Sequence, residues 1–276
     1  MDFSLRRVGN QNLHLYDSTV DSSLQLVFVP GILGPSVWRH QVKYFSRKFH
    51  TVTYNPTVSK RGFEGQEKAL EAVLSQDSIR NAVLIGQGPA NTLVQRFEKR
   101  EDVSATVLTG VDQEYKSIPR ELFRVTAKIG CWKPKLLKKF MFSELTDYSV
   151  VKGFVDDLEL VSYDDFRSFV EKHSLRKPVK QSMIVHAEND IFSDREVAKN
   201  LEGAKVSILD SGSFSFYEKP QEYNKALHDF LTSVQRLVEE REIYKAASEN
   251  HSLKEFEKKQ KVELKNDSRP YTEENY

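Results

Sequence analysis

Short apolar runs that alternate with stretches of helical spacing leave this chain few folds to adopt. Leu13–Asp17 alternates apolar and polar side chains, and Leu24–Val29 is apolar almost throughout. Thr51–Tyr54, Ala82–Ile85, Ala105–Leu108, Gln181–His186 and Val206–Leu209 are runs of the same short kind. Between them, Ser36–Phe45, Glu64–Leu74, Thr92–Arg100, Asp194–Leu201 and Pro220–Val238 carry helical periodicity. A strand apolar on both faces must be covered on both faces. The alternation therefore predicts an α/β fold, a mostly parallel central sheet with helices on both faces. A chain of 276 residues, 39% apolar, is long enough for one large domain of this type.

The alternation breaks once. Residues 112–178 hold mainly helical patterns, over Leu122–Ile129, Pro134–Phe142, Ser149–Leu160 and Tyr163–His173, and read as a helical lid inserted into the domain. Past Leu237 the chain turns charge-dense and loses its apolar clusters. The expected organisation is a domain over 1–237 and a charged C-terminal extension over 238–276, helical in part and then disordered.

Composition narrows the function. A formal net charge of +1 argues against a nucleic-acid partner. Cys131 is the lone cysteine, so no internal disulfide or cysteine-based zinc site can form. His14, His40, His50 and His228 lack metal-ligand spacing, and His186 reads as a core histidine at a strand end. No metal and no cofactor is expected. Met1–Arg7 lacks the apolar core of a signal peptide, and no apolar run approaches the ~20 residues of a membrane span. A soluble, intracellular, cytoplasmic protein is the expectation.

The stretch Leu84-Ile85-Gly86-Gln87-Gly88-Pro89-Ala90 carries the most chemistry, because it joins an apolar strand to a helix through a tight turn. Such a turn can cradle a phosphate. The spacings of a phosphate-binding loop are absent, however, and Pro89 has no N–H to offer. Three further landmarks follow the same order along the chain: Val27-Phe28-Val29-Pro30-Gly31-Ile32, Ile184-Val185-His186-Ala187-Glu188-Asn189-Asp190, and Gly212-Ser213-Phe214-Ser215-Phe216-Tyr217-Glu218-Lys219-Pro220. Together the four resemble the α/β-hydrolase superfamily in its single-domain form with a helical cap, over about Leu13 to Val234. The resemblance puts Gly88 at the position of the nucleophilic serine, Asp190 at the acid and Ser213 at the histidine. It makes Gly31 and Ile32 the oxyanion loop, with Gln87, Pro89 and Phe214 lining the pocket. The triad is thus degenerate: Gly88 has no side chain, and Ser213 is no base near neutral pH. Glycine also relieves the strain that the elbow imposes on its central residue.

The implied function is that of a catalytically inactive, hydrolase-like protein that binds a small apolar ligand or a protein partner. Two alternatives stand beside it. One is a serine-type hydrolase of small esters with a relocated nucleophile, for which Ser36 and Ser215 are candidates. The other is a scaffold subunit that assembles through its C-terminal extension, using Ile243, Tyr244, Leu253 and Phe256. Asp190 reads either as a retained acid or as a loop residue that caps the next helix. The basic, amphipathic segment Trp132–Phe142 offers Lys135, Lys138 and Lys139 to an anionic membrane or acidic partner, or else packs Leu136, Leu137, Phe140 and Met141 as an ordinary lid helix.

Overall fold

The computed structural model describes residues 4–31, 34–56, 62–112, 162–193 and 195–249, with a few positions between 138 and 152. Most of the segment read as a lid lies outside the described residues, as do Ile32, Lys135, Leu253 and Phe256. In chain order the described elements are β1 (Ser4–Val8), β2 (Gln11–Asp17), β3 (Gln25–Phe28), α1 (Arg39–Phe45), β4 (His50–Pro56), α2 (Phe63–Leu74), β5 (Ala82–Gln87), α3 (Asn91–Phe97), β6 (Val103–Thr109), α4 (Tyr163–Lys172), β7 (Gln181–Ala187), α5 (Arg195–Asn200), β8 (Ala204–Leu209), α6 (Ser215–Glu218) and α7 (Pro220–Glu249).

The strands form one eight-stranded sheet in the order β1-β2-β4-β3-β5-β6-β7-β8. β2 pairs antiparallel with β1 and β4, and every other pairing is parallel. β1 was not expected. Its sequence, Ser-Leu-Arg-Arg-Val, carries no apolar alternation, and only Val8 is buried. It is held by the hairpin that pairs Val8 with Gln11. The helix read over Ser36–Phe45 is two pieces, a 3₁₀ turn at Pro35–Trp38 and then α1.

Strand pleating explains how one run feeds two cores. Val27, Val29, Leu84 and Ile184 face a layer built by Phe63, Leu70 and Val73 of α2, Leu93 and Val94 of α3, and Phe169 of α4. Phe28, one residue out of phase with Val27, faces the other way. Its ring lies 5.4 Å from Trp38 and 6.5 Å from Phe45 of α1, and Trp38 reaches Tyr223 of α7 at 6.3 Å. The chain divides into two compact units at Val234 and Gln235. The described part of the second unit is helical through Glu249, beyond the Val238 end read from sequence, and exposes Leu237, Ile243 and Tyr244.

A largely buried hydrogen bond between two side chains closes the N-terminal end of the sheet. His50 donates from Nε2 to Asp17 Oδ1 at 2.8 Å, with both side chains nearly buried. That bond, the largest influence on it, holds the Asp17 carboxyl below the usual carboxylate range. A carboxyl whose pKa falls on folding adds stability above its unfolded value, about 3.9, and loses it as the pH drops through the folded value. The melting temperature of the natural chain should therefore fall more steeply than that of Asp17→Asn as the pH is lowered below about 4. Parallel melting curves for the two proteins over that range would refute the assignment.

Candidate functional site

β3 has β4 on one side and β5 on the other, so the chain leaves these neighbouring strands in opposite directions. In open α/β sheets, that reversal opens a crevice beyond the carboxyl ends of the strands. Three glycines with positive φ stand there: Gly31 (+59°) after β3, Gly88 (+54°) after β5 and Gly110 (+59°) after β6. Each turns the chain sharply where a side chain would cost energy.

The turn at Gly88 is built from β5 and α3. A Cβ added to Gly86 would lie 2.7 Å from Val94 Cγ2 and 3.0 Å from Asn91 Oδ1, so strand and helix meet over bare backbone. Asn91 donates from Nδ2 to the carbonyl of Thr109 at 3.0 Å, which ties α3 to the end of β6. Gly88 and Ala90 are buried, and Gln87 and Pro89 are partly so. The facing loop is equally close. A Cβ on Gly31 would approach Ala90 Cβ to 2.8 Å. The Gly31 carbonyl accepts from Gln66 Nε2 at 3.1 Å, and Trp38 Nε1 donates to the Val29 carbonyl at 3.0 Å.

The loops that carry Asp190 and Ser213, distant in sequence, meet after β7 and β8. Ser213 Oγ accepts the Ile191 N–H at 3.1 Å and is buried. Asp190 turns its carboxylate back on its own loop. Oδ1 accepts the Phe192 N–H at 2.9 Å, and Oδ2 accepts the Ser193 hydroxyl. Oδ2 also lies 3.4 Å from where a Cβ on Gly110 would stand. Next to them, Glu218 gathers the turn. Its carboxylate accepts the Ser143 N–H at 2.8 Å and the Thr146 hydroxyl at 2.5 Å, with longer contacts to the N–H groups of Gly212 and Phe214. Phe214 sits among aromatics, 5.4 Å from Phe142, 6.3 Å from Phe192 and 6.2 Å from Phe216.

Two constellations escaped sequence reasoning. Ser193 Oγ stands 3.3 Å from His186 Nδ1 as well as beside Asp190. Serine, histidine and carboxylate are thus neighbours, but the serine is in the middle. Hydrolytic triads place the imidazole between hydroxyl and carboxylate, so that the base is oriented and its cation stabilised. The second constellation is Thr92, whose hydroxyl donates to His173 Nδ1 at 2.9 Å, while His173 Nε2 donates to the Asp112 carbonyl at 2.9 Å. Burial, the largest influence, holds His173 below its ordinary pKa and so neutral. Thr92 opens a ladder on α3. Gln95 exchanges two bonds with the backbone of Arg176, and Glu98 accepts the N–H groups of Val179 and Lys180. With polar residues three apart, at Thr92 and Gln95 on α3 and at Glu98 just past its end, the helix holds the segment that leads into β7. That account makes Thr92 and His173 structural. The signal was legible only as polar residues spaced i, i+3, i+6 on a buried helix.

The other candidates lie apart. Ser36 is in the 3₁₀ turn before α1. Ser215 begins α6, and its buried Oγ has no hydrogen-bond partner among the described residues. Among the described residues, no three His, Cys, Asp or Glu side chains stand together as metal ligands. No described helix is long and apolar enough to cross a membrane.

Comparison with known proteins bears on the fold. No family model matches the chain, and no curated protein matches it in sequence. Solved structures do. The enol-lactonase from Burkholderia xenovorans LB400 superposes with a TM-score of 0.65 at 16% identity, over 83% of this chain and all of its own. A bromoperoxidase from Bacillus anthracis gives 0.65 at 15% identity, over 83% and 99%. A thermophilic esterase from Thermogutta terrifontis gives 0.64 at 14% identity, over 85% and 98%.

Proposed function

We propose that this chain, which has the α/β-hydrolase fold, works by binding a small apolar ligand or a protein partner and does not hydrolyse esters at the elbow. The observation that carries this reading is Gly88, a residue without a side chain at φ +54° where the fold presents its nucleophile. Its surroundings agree with it. Pro89 has no N–H for an oxyanion. Ser213 stands where an imidazole is needed, and its oxygen is bonded to the Ile191 N–H. The rings of Phe142, Phe192 and Phe214 beside it suit an apolar guest. The lactonase and esterase neighbours share the fold at 14–16% identity, and their activities are theirs.

A thermal-shift screen against small apolar molecules, read beside fluorophosphonate labelling, tests the proposal. A binder gains melting temperature with ligand by mass action. The probe is expected to leave the chain unlabelled. A second reading is a relocated nucleophile at Ser193, which touches both His186 and Asp190 although the imidazole does not stand between hydroxyl and carboxylate. Stoichiometric labelling that disappears in Ser193→Ala would establish that reading and overturn the first.

A further inference from the structure

We infer that the outward face of α1 is a contact surface for an anionic phospholipid bilayer. The sequence carries the first observation. From Ser22 to Phe63 the chain has no Asp or Glu, yet it holds Arg39, Lys43, Arg47, Lys48, Lys60 and Arg61. The fold then gathers four of these cations. α1 buries Gln41, Val42 and Phe45, which leaves half-exposed Arg39 and exposed Lys43 four residues apart on the opposite side, with Arg47 and Lys48 exposed in the turn that follows the helix. Like charges at that spacing repel one another and weaken a helix. Several other surface cations do have carboxylate partners: Arg96 with Glu67, Arg100 with Asp102, Arg167 with Glu171, Lys225 with Asp229. Among the described residues, no carboxylate pairs with Arg39, Lys43, Arg47 or Lys48. His40, on the same helix, titrates below its ordinary value through burial first and then through Arg39 and Lys43, which reports the same local positive field.

The face is rigidly mounted. Gln41 Nε2 donates to the Phe216 carbonyl at 2.8 Å, and the Arg39 guanidinium lies 4.7 Å over the Tyr217 ring. Among the cations stands Tyr44, 48% exposed, its ring packed edge-on against Phe45 at 4.9 Å. A half-exposed phenol next in sequence to Lys43 and close to Arg47 and Lys48 suits the headgroup layer, where tyrosine concentrates and basic side chains meet anionic lipid. Nucleic acid asks for a domain-wide basic field. The net charge of +1 does not provide one.

The test is co-sedimentation of the full chain with phosphatidylcholine vesicles, with and without phosphatidylserine. Binding is expected only with phosphatidylserine, and it should vanish at high salt. Each neutralised cation should weaken it roughly fivefold. Lys43→Gln/Lys48→Gln, a mild pair that spares the fold, should therefore lose more than tenfold, and Lys43→Glu/Arg47→Glu/Lys48→Glu more still. Lys138→Glu/Lys139→Glu should bind as the natural chain does. No phosphatidylserine-dependent binding overturns the inference. So does equal binding by the folded variants, or loss in the Lys138 and Lys139 variant. Retention on single-stranded RNA through these residues, without vesicle binding, overturns it as well.

Discussion

Gly88→Ser alone should leave the purified protein without turnover of p-nitrophenyl acetate above the buffer rate. On the proposed reading the new hydroxyl would find no imidazole, with Ser213 at the matching position, and no oxyanion donor at Pro89. Loss of serine or histidine from a working triad removes roughly 10⁶-fold in turnover, about 8 kcal/mol of barrier. Supplying one member of the set therefore recovers little. Gly88→Ser/Ser213→His should do better, raising turnover at least about 100-fold over the single variant. The Ser213 oxygen already accepts the N–H of Ile191, the residue after Asp190, so an imidazole there would border the loop that carries the carboxylate. The missing Pro89 donor should hold the double variant roughly 10²–10³-fold below a complete site. Turnover by the natural chain, or full recovery by Gly88→Ser, would contradict the inactive reading.

Gly31→Ala should produce the largest loss of stability. Its Cβ would lie 2.8 Å from Ala90 Cβ, an atom fixed to backbone at the elbow, and its φ is +59°. Overpacking of this kind costs about 1–3 kcal/mol, and the left-handed backbone adds about 1–2 kcal/mol. At roughly 2–4 °C per kcal/mol for a domain this large, the melting temperature should fall by about 4–20 °C. Gly31→Ala/Ala90→Gly should recover the steric part and leave the backbone part. An unchanged melting temperature in the single variant would show that the two loops are not held against each other.

Much of the architecture could be read along the chain because the sheet is buried on both faces. Val27 and Phe28 face opposite layers, so the run around them stays apolar without a break, and the same holds at Leu84 and Ile85. β1 escaped because a strand held by a hairpin at the sheet edge needs no apolar pattern. The split of the 36–45 segment escaped because Pro35 starts a 3₁₀ turn that side-chain periodicity does not mark. At the site, the glycine, the proline and the serine stood out by order and spacing alone. Their partners did not. Nothing near Ser213 points to Ile191, nothing near Ser193 to His186 and Asp190 as joint neighbours, and nothing near Thr92 to His173, 81 residues away.

What the sequence determined by itself was the kind of layer and the residue types along the turn from β5 into α3, since apolar period and residue identity are local properties. It also determined the acid-free stretch around α1. Only the tertiary structure decided what faces what. Ser193 became the centre of a cluster, Thr92 became a strut, and four cations gathered on one face clear of carboxylates. Those outcomes follow from loops brought together by parallel strand pairing, which sets neighbours by the order of strands in space and not by their order in the chain.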